Sequence, residues 1–242
     1  MSSAPADPSL RPIGVLGGTF DPIHYGHLRL AEEAREALAL ERVLFIPAGD
    51  PPHRPAPGTP AIHRLGMVRR AIRGHGAFHA DDLELRRGGK SYTVITLETL
   101  RRRYGPSRPL VLILGADAFF GLPSWHQWQR LFELAHVLVA MRPDFPLPWG
   151  NEPPEDDPPE PGAGLPPALQ DVLAVRRAPK LTRLAETPAG HVGFFRNTPL
   201  AISATTIRRL LHEGRSARYL LPEAVLRYIA THSLYQGDAR IP

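Results

Sequence analysis

The sequence contains no cysteine. This removes disulfides, thiolate nucleophiles and cysteine-bound zinc together, and is compatible with a reducing compartment, so a cytoplasmic location is the expectation. Lysine is nearly missing as well: Lys90 and Lys180 are its only occurrences among 29 basic positions, which leaves almost all the positive charge on arginine. No apolar run approaches the ~18 residues that a membrane span requires, so no membrane partner is expected. The opening stretch MSSAPADPSLRP lacks the basic start and apolar core of a secretory signal. Residues 1–12 are expected to form a disordered tail, and residues 237–242 a second one.

What is present describes an ordinary globular protein: 242 residues, of which 43% are hydrophobic and 22% charged. That length accommodates one large α/β domain, expected over residues 13–236. The formal net charge of +5 points to anionic ligands, and guanidinium forks suit phosphate oxygens. Charge alone does not separate nucleotides from nucleic acid. No strand interleaves aromatic with basic residues in the manner of RNA-binding sheets, so no nucleic-acid partner is expected.

Apolar, β-rich runs alternate with segments of helical period. The expected strands are IGVLG, RVLFIPA, FHADDLEL, LVLILGA, HVLVAM and VGFFR. Between and after them lie the helical stretches HLRLAEEAREALAL, HRLGMVRRAI, TVITLETLRRR, WQRLFELA, ALQDVLAVRR, ATTIRRLLHEG and PEAVLRYIATH. This alternation predicts a doubly wound, mainly parallel sheet. One segment breaks it. From about 143 to 167 the chain is crowded with proline, glycine and acid, which blocks helix and ladder alike, and it reads as a surface insertion more than as an interdomain linker.

The first expected strand runs into GGTFDPIHYGH, from Gly17 to His27. In doubly wound sheets, ligands sit beyond the carboxyl ends of strands. Glycines at Gly17 and Gly18 allow backbone to approach a ligand closely. Asp21 and Pro22 then look like the cap and first-turn proline of a helix, whose free N–H groups attract phosphate. His24 and His27 share a stripe with Leu28, Ala31, Ala34 and Leu38, which aims both imidazoles at the crevice. Rival phosphate motifs fail. GGKS at Gly88 to Ser91 has Glu84 where a Walker loop needs glycine, and the first strand lacks G-x-G-x-x-G. The histidines of HGAFH, His75 and His79, read as structure rather than as metal ligands.

GGTFDPIHYGH resembles the G-G-[ST]-F-D-P-x-H-x-G-H signature of the nucleotidylyltransferase superfamily, and ISATTIR, Ile202 to Arg208, resembles its C-terminal I-S-[ST]-T-x-I-R motif. Within it, IPAGDPPHR, SYTVITLETLR, LILGADAF with LPSWHQW, and LLPEAVLRYI resemble the bacterial nicotinate-nucleotide adenylyltransferase family. The resemblance spans about Ile13 to Tyr235 and loosens from Asp144 to Pro199. It implies a Rossmann-like nucleotidylyltransferase fold and transfer of AMP from ATP to nicotinate mononucleotide, giving nicotinate adenine dinucleotide and pyrophosphate.

The attacking group in that reaction is already an oxyanion, so the protein's task is to align phosphates and neutralise charge. The resemblance places His24, His27 and Arg208 at the reacting phosphates. Gly17, Gly18, Thr19, Phe20, Ser203 and Thr205 complete the ATP contacts, with Ser203 also reading as a helix cap. Magnesium is expected to arrive with ATP, held by phosphates and water rather than by protein ligands. The implied acceptor pocket stacks the pyridine ring on Trp125 and offers main-chain amides near Thr93 and His126 to the carboxylate. Asp117 either binds a ribose hydroxyl or caps a turn, Arg54 is a candidate for the outer phosphates or the acceptor, and Trp125 as core filler stays open. A homo-oligomer is compatible with the sequence. The alternatives are a related adenylyl- or cytidylyltransferase with another phosphate acceptor, or a non-catalytic nucleotide sensor.

Overall fold

The structure, a computed structural model, describes residues 11–51, 58–141, 165–198 and 200–236. In chain order its elements begin with β1 (Ile13–Gly18), α1 (Tyr25–Ala37), β2 (Arg42–Pro47), α2 (Ala61–Ala71), β3 (Phe78–Ala80), α3 (Leu83–Arg87) and α4 (Thr93–Tyr104). Then come β4 (Leu110–Gly115), α5 (Ala116–Phe120), two 3-10 turns at Leu122–Ser124 and Trp128–Arg130, α6 (Leu131–Leu134) and β5 (His136–Met141). The last group is α7 (Pro167–Arg176), α8 (Arg183–Glu186), β6 (Val192–Arg196), α9 (Ala204–His212) and α10 (Glu223–Thr231).

The six strands form one sheet in the order β3-β2-β1-β4-β5-β6. This is the 3-2-1-4-5-6 order of doubly wound folds, with the reversal between β1 and β4. The pairs β1/β4, β4/β5 and β5/β6 are parallel, in registers that set Ile13 opposite Leu110, Val111 opposite His136 and Val137 opposite Val192. The expected fold class is therefore the observed one. Leu110 to Leu114 and Val137 to Ala140 are all buried, which is why these strands read as unbroken apolar runs instead of alternating.

Two compact units emerge, and the division passes through β1, α1 and β2. One consists of the described residues within Met1–Leu16, Leu30–Leu44 and Tyr92–Pro199. Its helices present Leu30, Ala31 and Ala34 from α1, and Val94, Leu97 and Leu100 from α4, as buried faces at helical spacing. Gly14 is a packing glycine, since a β-carbon there would lie 2.8 Å from Leu40 and 3.2 Å from Ile113 and Val43. Arg101 ties this unit together from the last turn of α4. Its guanidinium donates to the carbonyls of Gly105, Pro106, Arg108, Leu134 and Pro188. Beside it His136 is fully buried, with its Nε2 2.7 Å from the Thr187 carbonyl and its Nδ1 accepting from the His191 amide at 3.1 Å.

The second unit consists of the described residues within Gly17–Arg29, Phe45–Ser91 and Leu200–Pro242. Phe20, Phe45 and Phe78 run through it as an aromatic chain with centroids 6.0 and 5.1 Å apart. Tyr228 of α10 lies against Gly66 of α2, where a β-carbon would come within 2.7 Å of the phenol oxygen. His63 Nδ1 meets that same hydroxyl at 3.0 Å.

Several expectations change. The third strand stops at Ala80, and the LEL end of its expected run, from Leu83, opens α3. The cause is Asp81, whose Oδ1 accepts from the Leu83 amide at 3.0 Å and turns the chain out of the ladder. Arg11 and Pro12, placed with the tail by sequence, are hydrogen-bonded: Arg11 donates to Ala39 and Leu40, and Pro12 accepts from Glu41. Of the Pro-rich insertion, residues 143–164 lie outside the described residues, as do residues 1–10 and 237–242 of the two tails. Leu165 is buried and Pro167 already opens α7.

Candidate active site

The signature loop leaves β1 at Gly18, whose carbonyl accepts from the Ala48 amide at 2.9 Å. A β-carbon on Gly18 would meet the Phe20 ring at 3.1 Å, whereas nothing lies within 4 Å of one on Gly17. Gly18 thus makes room for an aromatic anchor and Gly17 stays open to a ligand. Phe20 takes a left-handed φ of 51° and is buried, edge-on to the His27 ring at 5.1 Å. Its side chain is core, so whatever it offers a ligand comes from its backbone.

Asp21 and Pro22 do not open the helix as expected. They form a turn with a cis peptide bond, and α1 begins at Tyr25. Asp21 is occupied elsewhere: its Oδ1 accepts from the Tyr235 hydroxyl at 2.5 Å and its carbonyl accepts from Arg208 Nη1 at 2.7 Å. The cap position falls to His24, whose carbonyl takes the amides of His27 at 3.0 Å and Leu28 at 3.3 Å.

His24 is buried and stacks on His27, with ring centroids 3.8 Å apart and planes inclined by 30°. His27 Nδ1 accepts from the His24 amide at 3.3 Å, which puts the proton of the neutral ring on Nε2. His27 therefore presents a donor without needing a charge. Gly26 is the reason the pair can stack, because a β-carbon there would stand 3.1 Å from the His24 ring. The same position is 3.8 Å from the carbonyl of Ile202, so both sequence motifs meet within this unit.

Ser203 caps α9 as expected, with extended backbone and an Oγ that accepts from the Thr206 amide at 3.1 Å. Thr205 is exposed in the first turn, and its Oγ1 accepts from Arg208 Nη2 at 3.3 Å. Arg208 is thereby held by both motifs, through Asp21 and through Thr205. Imidazole donors, a helix start and an oriented guanidinium form a combination suited to phosphate oxygens. Gly17, Gly18, Thr19, Phe20, His24, His27, Ser203, Thr205 and Arg208 all belong to the second unit.

The expected acceptor residues belong to the first unit, except Arg54, which lies outside the described residues. Thr93 is the first residue of α4, and Tyr92 before it packs its ring on His126, with centroids 4.4 Å apart. This contact joins SYT to WH. Trp125 is half-buried at the end of its 3-10 turn, held by its amide to the Leu122 carbonyl at 2.9 Å, so it is not core filler. Asp117 sits exposed in the first turn of α5 and folds back over Gly115, where a β-carbon would be 2.7 Å from its carboxylate.

Three residues escaped sequence reasoning. Tyr92 carried no signal beyond its place in SYT, and Tyr235 none beyond standing where the family resemblance ends. Arg64 is the third: it is 1% exposed and donates to the carbonyls of Thr19 at 2.7 Å, Thr59 at 3.1 Å and Gly49 at 3.2 Å. Burial depresses its proton affinity below the usual arginine range, while Asp21 opposes that shift. GGKS proves structural, with Ser91 Oγ accepting from the amides of Gly49 and Asp50. Among the described residues there is no group of three or more His, Cys, Asp or Glu that fits a metal ion.

Residues 15–210 match the cytidylyltransferase-like family. A probable nicotinate-nucleotide adenylyltransferase of Dechloromonas aromatica is 49% identical, over 94% of this chain and 99% of that protein. One from Pseudomonas entomophila is 46% identical over 98% and 100%. Among solved structures, the Plasmodium falciparum nicotinic acid mononucleotide adenylyltransferase complexed with NaAD superposes with a TM-score of 0.66 at 16% identity, covering 93% of this chain and 97% of that one. At that identity the likeness bears on the fold.

Proposed function

The chain belongs to the nicotinate-nucleotide adenylyltransferases within the cytidylyltransferase-like family, and on that premise we propose that it transfers AMP from ATP to nicotinate mononucleotide, forming deamido-NAD and pyrophosphate. The observation that carries this reading is the meeting of the two motifs in one unit, with Arg208 bridging Asp21 and Thr205 beside the stacked histidines.

In the reaction, a phosphate oxygen of the mononucleotide attacks the α-phosphorus of ATP. One P–O bond forms, the bond to the β-phosphate bridge breaks, and pyrophosphate leaves with the electron pair. No side chain need become covalently attached or take a proton. In this reading His24 and His27 donate to the triphosphate, His27 through Nε2, since its Nδ1 accepts from the His24 amide. The first-turn amides and hydroxyls of α9, from Ser203 and Thr205, hold the outer phosphates. Arg208 neutralises charge that builds on the leaving group, and the backbone at Gly17 to Phe20 borders the nucleotide. These interactions strengthen as charge moves toward pyrophosphate, which is where they accelerate the step.

Magnesium would come with ATP, held by triphosphate oxygens and water rather than by protein ligands. Bound there, it would withdraw charge from the phosphates. Trp125 supplies a flat face for the pyridine ring, and amides near Thr93 and His126 suit a carboxylate better than a carboxamide, whose NH₂ would oppose another donor. Arg54 and Asp117 remain candidates for the acceptor or ribose.

Pyrophosphate release tests the assignment, with nicotinate mononucleotide, nicotinamide mononucleotide and phosphopantetheine each offered beside ATP. Preference for the nicotinate acceptor is expected. Turnover with phosphopantetheine alone would overturn the acceptor, and ATP binding without turnover would indicate a sensor.

A further inference from the structure

Tyr235 lies beyond the last helix, 214 residues from Asp21 in sequence, yet its hydroxyl donates to the Asp21 carboxylate at 2.5 Å. The turn that delivers it is specific. Leu234 donates from its amide to the Ile229 carbonyl at 3.0 Å, closing the end of α10, and Ser233 and Tyr235 take left-handed φ values of 50° and 63°. Side-chain-bearing residues adopt that region only where their surroundings hold them.

A hydrogen-bond chain starts from this phenol. Through Asp21 it reaches Arg208 and then Thr205 of the second motif. Arg64, buried in the same unit, donates to the carbonyls of Thr59 and of Thr19 in the first motif. Burial, and next the bond to Asp21, keep the phenol protonated far above the usual tyrosine range, so it acts only as a neutral donor and acceptor. Tyr235 itself is not among the groups that face phosphate.

We propose that Tyr235 is a positioning residue of the nucleotide site: by fixing Asp21 it holds the signature loop and the start of α9 in one arrangement for the phosphates of ATP. The proposal rests on the adenylyl-transfer reading above. It predicts an effect confined to one substrate. Loss of the hydroxyl loosens the phosphate cradle and leaves the acceptor residues, which belong to the other unit, as they were.

The test is Tyr235→Phe in the full chain, read by calorimetric titration with α,β-methylene-ATP and by steady-state kinetics. Affinity for the analogue is expected to fall about five- to tenfold and KM for ATP to rise by the same factor, while KM for nicotinate mononucleotide stays within about twofold of wild type. Asp21→Asn should give a similar loss, and the double variant no more than the larger single one. Unchanged analogue affinity in Tyr235→Phe overturns the proposal. So do additive losses in the double variant, or KM values rising together for both substrates, which mark a general loss of structure. Should wild type bind the analogue but adenylylate no acceptor, the reaction assignment fails while the titrations still decide the role of Tyr235.

Discussion

Each of the two units gathers backbone carbonyls on an arginine, half-buried Arg101 in the first and buried Arg64 in the second, and the two differ in what they hold. Arg101 gathers carbonyls from Gly105 to Pro188, all within the first unit and none in a ligand motif. Arg64 gathers Thr19, Gly49 and Thr59, and so ends on the signature loop. The histidines divide the same way. His136 is locked between backbone groups of Thr187 and His191, whereas His24 and His27 stack on one another at the head of α1. Buried polarity in the first unit satisfies backbone that would otherwise be orphaned, and in the second, on the proposed reading, it shapes a surface for an anion.

If that division is right, substitutions should separate activity from stability. His24→Ala and His27→Ala should each lower kcat/KM by about 10³-fold, roughly 4 kcal/mol, with circular dichroism and melting close to wild type. A wild-type rate from either variant would break the comparison on its catalytic side. Arg101→Met should do the reverse. Removing a donor to several carbonyls should cost about 3–4 kcal/mol in chemical denaturation, while the protein that remains folded turns over normally.

His136 gives a pH signature for the structural side. Burial first, with nearby His191 and Arg101 adding to it, lowers its pKa from 6.5 to about 4, although the Thr187 carbonyl favours the proton. Above pH 6.5 the imidazole is neutral in folded and unfolded chains alike, so it adds no pH dependence there. Between pH 6.5 and about 4 the unfolded chain takes up a proton that the native site refuses, and stability falls by up to about 3 kcal/mol. Urea midpoints across that window for wild type and His136→Phe should show a shallower slope in the variant. Equal slopes would remove His136 from the account. The smallest effect belongs to the acceptor side: Trp125→Ala should raise KM for nicotinate mononucleotide about tenfold and leave KM for ATP unchanged, and equal rises in both would show that Trp125 does not serve the acceptor.

Much of this was legible in the sequence. The six strand positions could be read because strands covered on both faces, such as LVLILG and HVLVAM, are apolar without interruption. The motifs were legible because glycine and histidine at fixed offsets have few structural uses at the end of a strand. Short elements escaped: α3, α5 and α8 span four or five residues each, too few for a helical period to show. The start of α1 was misplaced because Asp21 has a cap's chemistry but a distant partner, Tyr235, that occupies it. Arg64 escaped for the same reason, since its partners are carbonyls scattered along the chain and no side-chain pattern reports them.

The central claim is that the stacked histidines, the start of α9 and Arg208 together hold the phosphates of ATP. A crystal structure of the protein with α,β-methylene-ATP and nicotinate mononucleotide tests it most directly. The account predicts phosphate oxygens within hydrogen-bond distance of His24 or His27, of the first turn of α9 and of Arg208. Phosphates bound elsewhere, with both imidazoles still packed in the protein interior, would contradict it.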